Sequence, residues 1–199
     1  MKKVTQFLVF SSLFISMLLA NVSTSAQNIK PDADNAGLTL PKGFAALKVA
    51  DNLGRTRHIV VNKQGAIYAK LERLDNGKGV LVLKDTDGDG RAETKTSFGN
   101  YTGTGIAIKG NFLYASSNKE VFKYALNDNG DIVDENAAAT TVTGLVDKGQ
   151  HNSKSITLDN AGNIYVNVGA PSNSCQEKDR TKGSMGMMPC PILDSAGGI

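Results

Sequence analysis

A short phrase that occurs three times along the chain limits the possible fold more than any other feature. It consists of an apolar strand-like run, a turn and a second run that ends in tyrosine. Glycine, at 21 of 199 residues, is frequent enough to supply many such turns. The closing tyrosines are separated by 46 and 51 residues. The three copies span residues 59–68, 106–114 and 156–165.

Two further strand-like runs lie between successive copies: 80–84 with 93–98, and then 120–126 with 140–143. Four strands in each period of roughly 45–50 residues predict an all-β fold, the β-propeller. A β-sandwich also has many short strands, but it does not need a hairpin repeated at a fixed period. The chain then holds about two and a half blades. Because a propeller needs at least four blades, we expect a truncated sequence, or else blades completed by another chain.

The first 26 residues have the pattern of a secretory signal peptide, with two lysines, an apolar run and small residues before a cut after Ala26. A membrane anchor is the alternative, but the apolar run of about 14 residues is shorter than the roughly 20 that a span requires. We therefore expect a periplasmic or secreted protein with no stable membrane insertion once the leader is cleaved. Residues 27–42 form an N-terminal arm, and 43–199 the propeller part.

Charge excludes one class of partner. The chain has 22 basic and 19 acidic residues, and removal of Lys2 and Lys3 with the leader leaves 20 against 19, a net charge of +1. A nucleic-acid-binding protein shows a strongly basic surface. The sequence therefore predicts no nucleic-acid partner.

Two cysteines, Cys175 and Cys190, are present in this exported chain. In an oxidising compartment a pair of this kind predicts one structural disulfide. A metal pair or a redox couple fits less well, because the spacing is far from C-x-x-C and His151 is the only nearby histidine.

An acidic turn lies between two predicted strands of the first blade. Its carboxylates occupy positions 1, 3, 5 and 9 of a tight glycine-containing loop, as in calcium-binding loops. Position 12 is Thr96 instead of the bidentate glutamate of an EF-hand. We weigh a weak structural Ca²⁺ site equally against a solvated turn. The candidate ligands are Asp85, Asp87, Asp89 and Glu93.

The segments that enter the first strand of each blade lead to one mouth of a propeller's central channel. Two residues before the first isoleucine of each phrase stand Arg57, Thr104 and Lys154, so two of the three are cationic and suit an anionic ligand. His151 lies in the segment that enters the third blade and is a candidate general base. His58 is more consistent with packing.

At these residues the sequence resembles the quinoprotein sugar dehydrogenases, the sorbosone and glucose dehydrogenase family of six-bladed propellers. The resemblance runs from about residue 43 to 199, and its most specific part extends from His151 to the two cysteines, closest to the sorbosone type. It is carried by residues 57–61, 85–93, 103–107, 149–151, 162–166, 168–173, 175–177, 179–180 and 189–191.

The resemblance implies pyrroloquinoline quinone (PQQ) bound with Ca²⁺ at the channel mouth. His151 matches the family's catalytic base, and Arg57, Lys154 and Gln150 would contact the cofactor. Gln150 stands where the glucose-specific branch has an acid. The implied activity is oxidation of a sugar or sugar aldehyde of the sorbosone or aldose class. Electrons would pass to an external acceptor such as a cytochrome.

Other parts of the family's site, including a Gly-x-Arg-Asn segment, would lie beyond Ile199, so we expect this piece alone to be inactive. The alternative function is a non-catalytic, secreted, calcium-stabilised propeller that binds a ligand. A lactonase-type hydrolase would need several acidic or amide ligands on the channel axis, where Arg57, Thr104 and Lys154 stand instead.

Overall fold

The computed structural model describes residues 29–197. The predicted leader, 1–26, lies outside the described residues. Ten β-strands and two short 3-10 turns, Asn35–Gly37 and Pro191–Asp194, make up the regular structure of this part. The strands are β1 Thr56–Val61, β2 Ile67–Asp75, β3 Lys78–Lys84, β4 Thr94–Phe98, β5 Ile106–Lys109, β6 Phe112–Ser116, β7 Val121–Ala125, β8 Ala139–Val142, β9 Ile156–Leu158 and β10 Ile164–Val166.

The strands form two four-stranded antiparallel sheets and one two-stranded hairpin. The first sheet has the order β1-β2-β3-β4, the second β5-β6-β7-β8, and β9 pairs with β10. The first strands are neighbours, because β1 packs beside β5 and β5 beside β9. Two four-stranded blades followed by half of a third are what the repeat predicts, and the predicted fold class is confirmed.

Each repeated phrase is a hairpin, and in the first and third copies a polar side chain closes the turn. In the first copy, Asn62 Oδ1 accepts hydrogen bonds from the backbone amides of Gln64 and Ala66. In the third copy, Asp159 accepts from the backbone and the side chain of Asn163. Asn and Asp favour turns for this reason. The turns therefore set the register of the paired strands.

The main apolar core lies between the first and second sheets. Tyr68 and Val80 from the first sheet and Leu113 from the second are fully buried there. Phe98 meets Tyr124 edge to face, with ring centroids 4.9 Å apart. A smaller cluster, which includes Tyr114, Val121 and Ile156, joins the second sheet to the third hairpin. Each sheet thus buries one face against the next one.

One side chain buried in this region is a lysine. Lys70 of β2 has no exposed surface, and its Nζ donates to the carbonyl oxygens of Gly79 (3.1 Å) and Tyr101 (2.8 Å). The ammonium lies 4.3 Å from the centroid of the Tyr101 ring. Gly79 is required here, because a Cβ would lie 1.9 Å from the Tyr101 carbonyl oxygen. Burial lowers the pKa of Lys70 to about 7.

The N-terminal arm lies against the first blade. Arg91 donates to the Lys48 carbonyl oxygen at 2.9 Å and pairs with the Asp32 carboxylate. The Ala92 amide donates to the Val49 carbonyl oxygen at 2.8 Å. No strand forms between residue 29 and the start of β1, so the segment without strands continues past the predicted arm boundary at residue 42.

Candidate functional site

The segments that enter β1, β5 and β9 lie side by side at one end of the sheets. His58 Nδ1 lies 3.1 Å from the Thr104 carbonyl oxygen, which joins the first segment to the second. Ser116 Oγ accepts from the Gly105 amide at 3.0 Å and donates to the Lys154 carbonyl oxygen at 2.6 Å, which joins the second to the third. The structure thus brings together the three segments that the sequence predicts at one mouth. The contact of His58 is consistent with a packing role.

His151 lies in the third of these segments and is exposed. The Gln150 amide donates to the Pro171 carbonyl oxygen at 2.9 Å, so backbone contact holds the two chain segments together. Gly149 allows this approach: it has φ +70°, and a Cβ there would lie 2.1 Å from the Pro171 carbonyl oxygen. The Gln150 side chain is exposed beside His151.

Asn173 contacts the His151 ring directly. Its Oδ1 lies 2.5 Å from His151 Nε2. An amide oxygen only accepts hydrogen bonds, so in this contact Nε2 is the donor. Asn173 belongs to the part of the sequence that carries the family resemblance, but the sequence predicts no role for it. The available clue is that Asn173 is an amide residue in the segment that follows β10, which packs on the histidine.

The residues around Asn173 form a fixed polar loop. Ser174 Oγ donates to the Asp179 carboxylate at 2.9 Å, and Ser172 Oγ donates to the same oxygen. These bonds, first the one from Ser172, hold the pKa of Asp179 below its usual value. Cys175 and Cys190 form a disulfide with Cα atoms 5.9 Å apart, which confirms the predicted bridge. The segment that contacts His151 therefore continues into a covalently closed loop.

Arg57 presents a guanidinium group at the same end of the first blade. Its side chain is about half exposed, and its Nη1 lies 3.9 Å from Glu72 Oε2. Arg55, which sequence reasoning missed, lies closer to that carboxylate, at 3.1 Å. Two guanidinium groups therefore share one carboxylate, and an excess positive charge remains. Exposed ion pairs of this kind are weak, so Arg57 is available to an anionic ligand.

Lys154 differs from the expectation of a second exposed cation. The residue is fully buried, and its Nζ donates to the Asn152 carbonyl oxygen. Burial lowers the pKa of Lys154, while Asp147 opposes this shift. The carbonyl oxygen of Lys154 is bonded to Ser116 at the interface between blades, which draws this residue inward.

The acidic turn between β3 and β4 gathers its four carboxylates as the sequence predicts. One ligand oxygen from each of Asp85, Asp87, Asp89 and Glu93 lies within 4.8 Å of the others. Both Asp85 oxygens accept backbone amides, from Gly88 and Gly90. Burial raises the pKa of Asp85, but these amide bonds outweigh it and the pKa falls below its usual value.

The acidic turn and Arg57 lie at opposite ends of the first blade. The turn follows the end of β3, whereas Arg57 lies at the start of β1 and its partner Glu72 near the end of β2. Because neighbouring strands run antiparallel, the end of β3 is opposite to the end of β2. The turn is therefore peripheral to the His151 segment.

Comparisons with known proteins agree with this geometry. The family model described as TrAA12-like matches residues 38–188. The calcium structure of Trichoderma reesei Carbohydrate-Active Enzymes Family AA12 is similar, with a TM-score of 0.53 and 26% identity. The aligned region covers 63% of this chain and 32% of the Trichoderma reesei chain. A comparison with curated proteins finds no match.

The holo form of the Pyranose Dehydrogenase PQQ domain from Coprinopsis cinerea has a TM-score of 0.57 and 19% identity. The aligned region covers 68% of this chain and 33% of the Coprinopsis cinerea chain, and at this identity the similarity supports the fold alone. The chain spans about a third of the length of these solved structures. The fold, the family model and the similar structures together define the class of this protein, which is that of the quinoprotein sugar dehydrogenase-like β-propellers. Within that class, the chain belongs to the TrAA12-like family. The predicted family resemblance is confirmed.

Among residues 29–197, no helix has the length and apolar character that crossing a membrane requires.

Proposed function

We propose that this chain supplies the first blades and the base-bearing segment of a PQQ-dependent oxidoreductase that oxidises a sugar or sugar aldehyde, of the sorbosone or aldose class. The observation that carries the proposal is the contact between His151 and Asn173, made in a chain of the TrAA12-like family. The names of the similar structures, Family AA12 and a PQQ domain, support the cofactor class.

In this proposal His151 is the general base. With Nε2–H held by Asn173, the Nδ1 lone pair accepts the proton of a substrate hydroxyl group. PQQ, when bound, supplies a two-electron acceptor for the hydride of the same carbon atom. Asn173 stabilises the imidazolium that forms, because its amide oxygen keeps accepting from Nε2–H.

The residues at the mouth fit an anionic quinone in part. Arg57 is half exposed, shares its carboxylate partner with Arg55, and has the planar donor set that binds carboxylates in pairs. Gln150 is exposed next to His151 and offers an amide. Lys154 is directed to Asn152, so in this proposal it contributes positive potential more than a direct contact.

The acidic turn is proposed as a weak, structural Ca²⁺ site. Four carboxylates within 4.8 Å of one another fit an oxygen-ligated cation. The hydrogen bonds from Gly88 and Gly90 to Asp85 satisfy the loop without an ion, which makes the predicted affinity low. Its test is the melting temperature with Ca²⁺ and with a chelator. A rise with Ca²⁺ that Asp87→Asn removes supports the site, and equal melting temperatures refute it.

We also propose export to the periplasm or the extracellular space, and transfer of the electrons to a cytochrome or another external acceptor. The disulfide between Cys175 and Cys190 supports an oxidising compartment. Secretion is tested by comparing the mass of the exported protein with a cut after Ala26.

The test of the activity uses the protein from its native host, reconstituted with PQQ and Ca²⁺, and measures dye reduction with sugars. We expect His151→Ala to lower kcat by about 100-fold or more while PQQ affinity in equilibrium dialysis is retained. Arg57→Ala should weaken PQQ binding without loss of fold. His58→Gln is the matched control, because within residues 29–197 the hydrogen-bond contact of the His58 ring is to a backbone carbonyl. Unchanged turnover in His151→Ala would refute the assignment, and absence of PQQ binding would favour the alternative, a calcium-stabilised binding module.

A further inference from the structure

The methionines of this chain have an unusual distribution. The sequence contains five, of which Met1 and Met17 belong to the predicted leader. The other three, Met185, Met187 and Met188, stand within four consecutive positions. Methionine is ordinarily a filler of apolar cores, yet none of these three is buried in the core.

The three side chains are on an accessible loop. Met185 is 69% exposed, Met188 is 95% exposed, and Met187 is half-buried. They lie inside the loop that the disulfide between Cys175 and Cys190 closes. Apolar side chains at this exposure gain little from burial, so packing does not explain why the chain concentrates its thioethers here.

Local strand pairing brings two of the thioethers together. Gln176 and Gly186 form an isolated antiparallel bridge. The Glu177 amide donates to the Met185 carbonyl oxygen at 3.0 Å. On the other side of the bridge, the Met187 amide donates to the Cys175 carbonyl oxygen at 2.9 Å.

This register determines which side chains share a face. In an extended strand, residues on either side of a bridge residue point to the same side, so Met185 and Met187 share a face with their Cα atoms about 7 Å apart. Directly opposite residues of an antiparallel pair also share a face. Glu177 therefore adds an exposed carboxylate on the same side as the two thioethers.

We propose that Met185 and Met187 form a binding site for a soft monovalent cation of the Cu(I) class, with Glu177 on the same face. Thioethers select soft cations such as Cu(I) over Ca²⁺ and Mg²⁺, which prefer oxygen ligands. The site is distinct from the acidic turn, whose donors are all carboxylates. The disulfide and the bridge hold the loop in place, so that two ligands are in position before the ion binds. This proposal does not depend on the quinone chemistry.

The test is a titration of the purified, oxidised protein with silver nitrate in chloride-free buffer, because Ag(I) is a redox-inert probe for Cu(I) sites. Binding is measured by calorimetry and by native mass spectrometry, and a thiol assay first verifies that both cysteines remain oxidised. We expect one Ag(I) per chain, and no competition from Ca²⁺.

The decisive variants replace sulfur without changing the volume, since leucine and methionine are similar in size. Met185→Leu/Met187→Leu should weaken Ag(I) binding by about 100-fold, whereas Met188→Leu, the matched control, should change it by only about threefold. Tenfold or greater weakening by Glu177→Gln would support the carboxylate's part. Absence of Ag(I) binding, or unchanged binding in the double variant, would overturn the proposal, as would loss of binding in Met188→Leu alone.

Discussion

Replacement of Lys70 by methionine should remove a distinctive dependence of stability on pH. In the folded state, burial lowers the pKa of Lys70 to about 7, whereas a lysine in an unfolded chain has a pKa of about 10.4. Well below pH 7 the side chain is protonated in both states, and its contribution to stability does not vary with pH. Above pH 7 the folded protein releases this proton while the unfolded chain keeps it. Unfolding then takes up a proton, and the free energy of unfolding rises with pH.

The size of the effect follows from the same values. Each pH unit between the two pKa values contributes about 1.4 kcal/mol, so the free energy of unfolding should rise by about 2–3 kcal/mol between pH 7 and pH 9. The upper limit of pH 9 avoids the titration of tyrosines. Burial raises the pKa of Tyr68 to about 12, so its ionisation in the unfolded chain near pH 10 favours unfolding.

The assay is urea unfolding at several pH values from 6 to 9, with the disulfide intact. Lys70→Met should flatten the profile between pH 7 and pH 9. The matched control is Lys109→Met, because Lys109 also donates to two backbone carbonyl oxygens, those of Asp159 and Asn160, both at 3.0 Å, but is only half-buried. The control should keep the wild-type slope. An unchanged slope in Lys70→Met, or equal flattening in both variants, would refute the assignment of the effect to the buried ammonium.

Two further predictions concern the core and the loop. Leu113→Ala should lower the free energy of unfolding by about 2–5 kcal/mol, because Leu113 is fully buried between the first two sheets, whereas Val133→Ala, at a position 64% exposed, should change it by less than about 1 kcal/mol; similar losses in both variants would contradict the proposed core. Replacement of Cys175 and Cys190 together by serine should lower the free energy of unfolding by about 3 kcal/mol, as expected for a closed loop of this length, and a reducing agent should then have no further effect on the variant's melting temperature.

The blades could be predicted from sequence because the pattern of each repeated hairpin is local in the chain. Alternation, turn residues and a fixed period all lie within about 50 residues, so no long-range information is needed. Lys70 could not be predicted in this way. A lysine in an alternating strand resembles a residue of the solvent face, and its burial depends on Gly79 and on Tyr101, 31 positions away. Such a contact exists only once the segment that follows β4 has folded back over β2 and β3.

The candidate site also has a part that the sequence predicts and a part that depends on packing. His151 and Arg57 were found as residue types at the ends of repeated segments, and the structure places both on segments that meet at one end of the sheets. The same register predicts Lys154 at the mouth, but its carbonyl oxygen accepts from Ser116 and its side chain is buried. Register gives the position of a Cα atom, whereas the direction of a long side chain depends on neighbours from another blade.

The orientation of His151 rests on contacts that leave no motif in the sequence. The histidine segment is held at Gln150 by the Pro171 carbonyl oxygen and, three residues past His151, by the bond from Ser116 to the Lys154 carbonyl oxygen. Both are contacts to backbone carbonyls, so the identity of the residues that supply them is only weakly constrained. Asn173 is the side chain that contacts the ring at Nε2. The chemistry proposed for this site therefore depends on how the segment after β10 folds back on the histidine segment, because that segment carries Asn173, the partner of the ring.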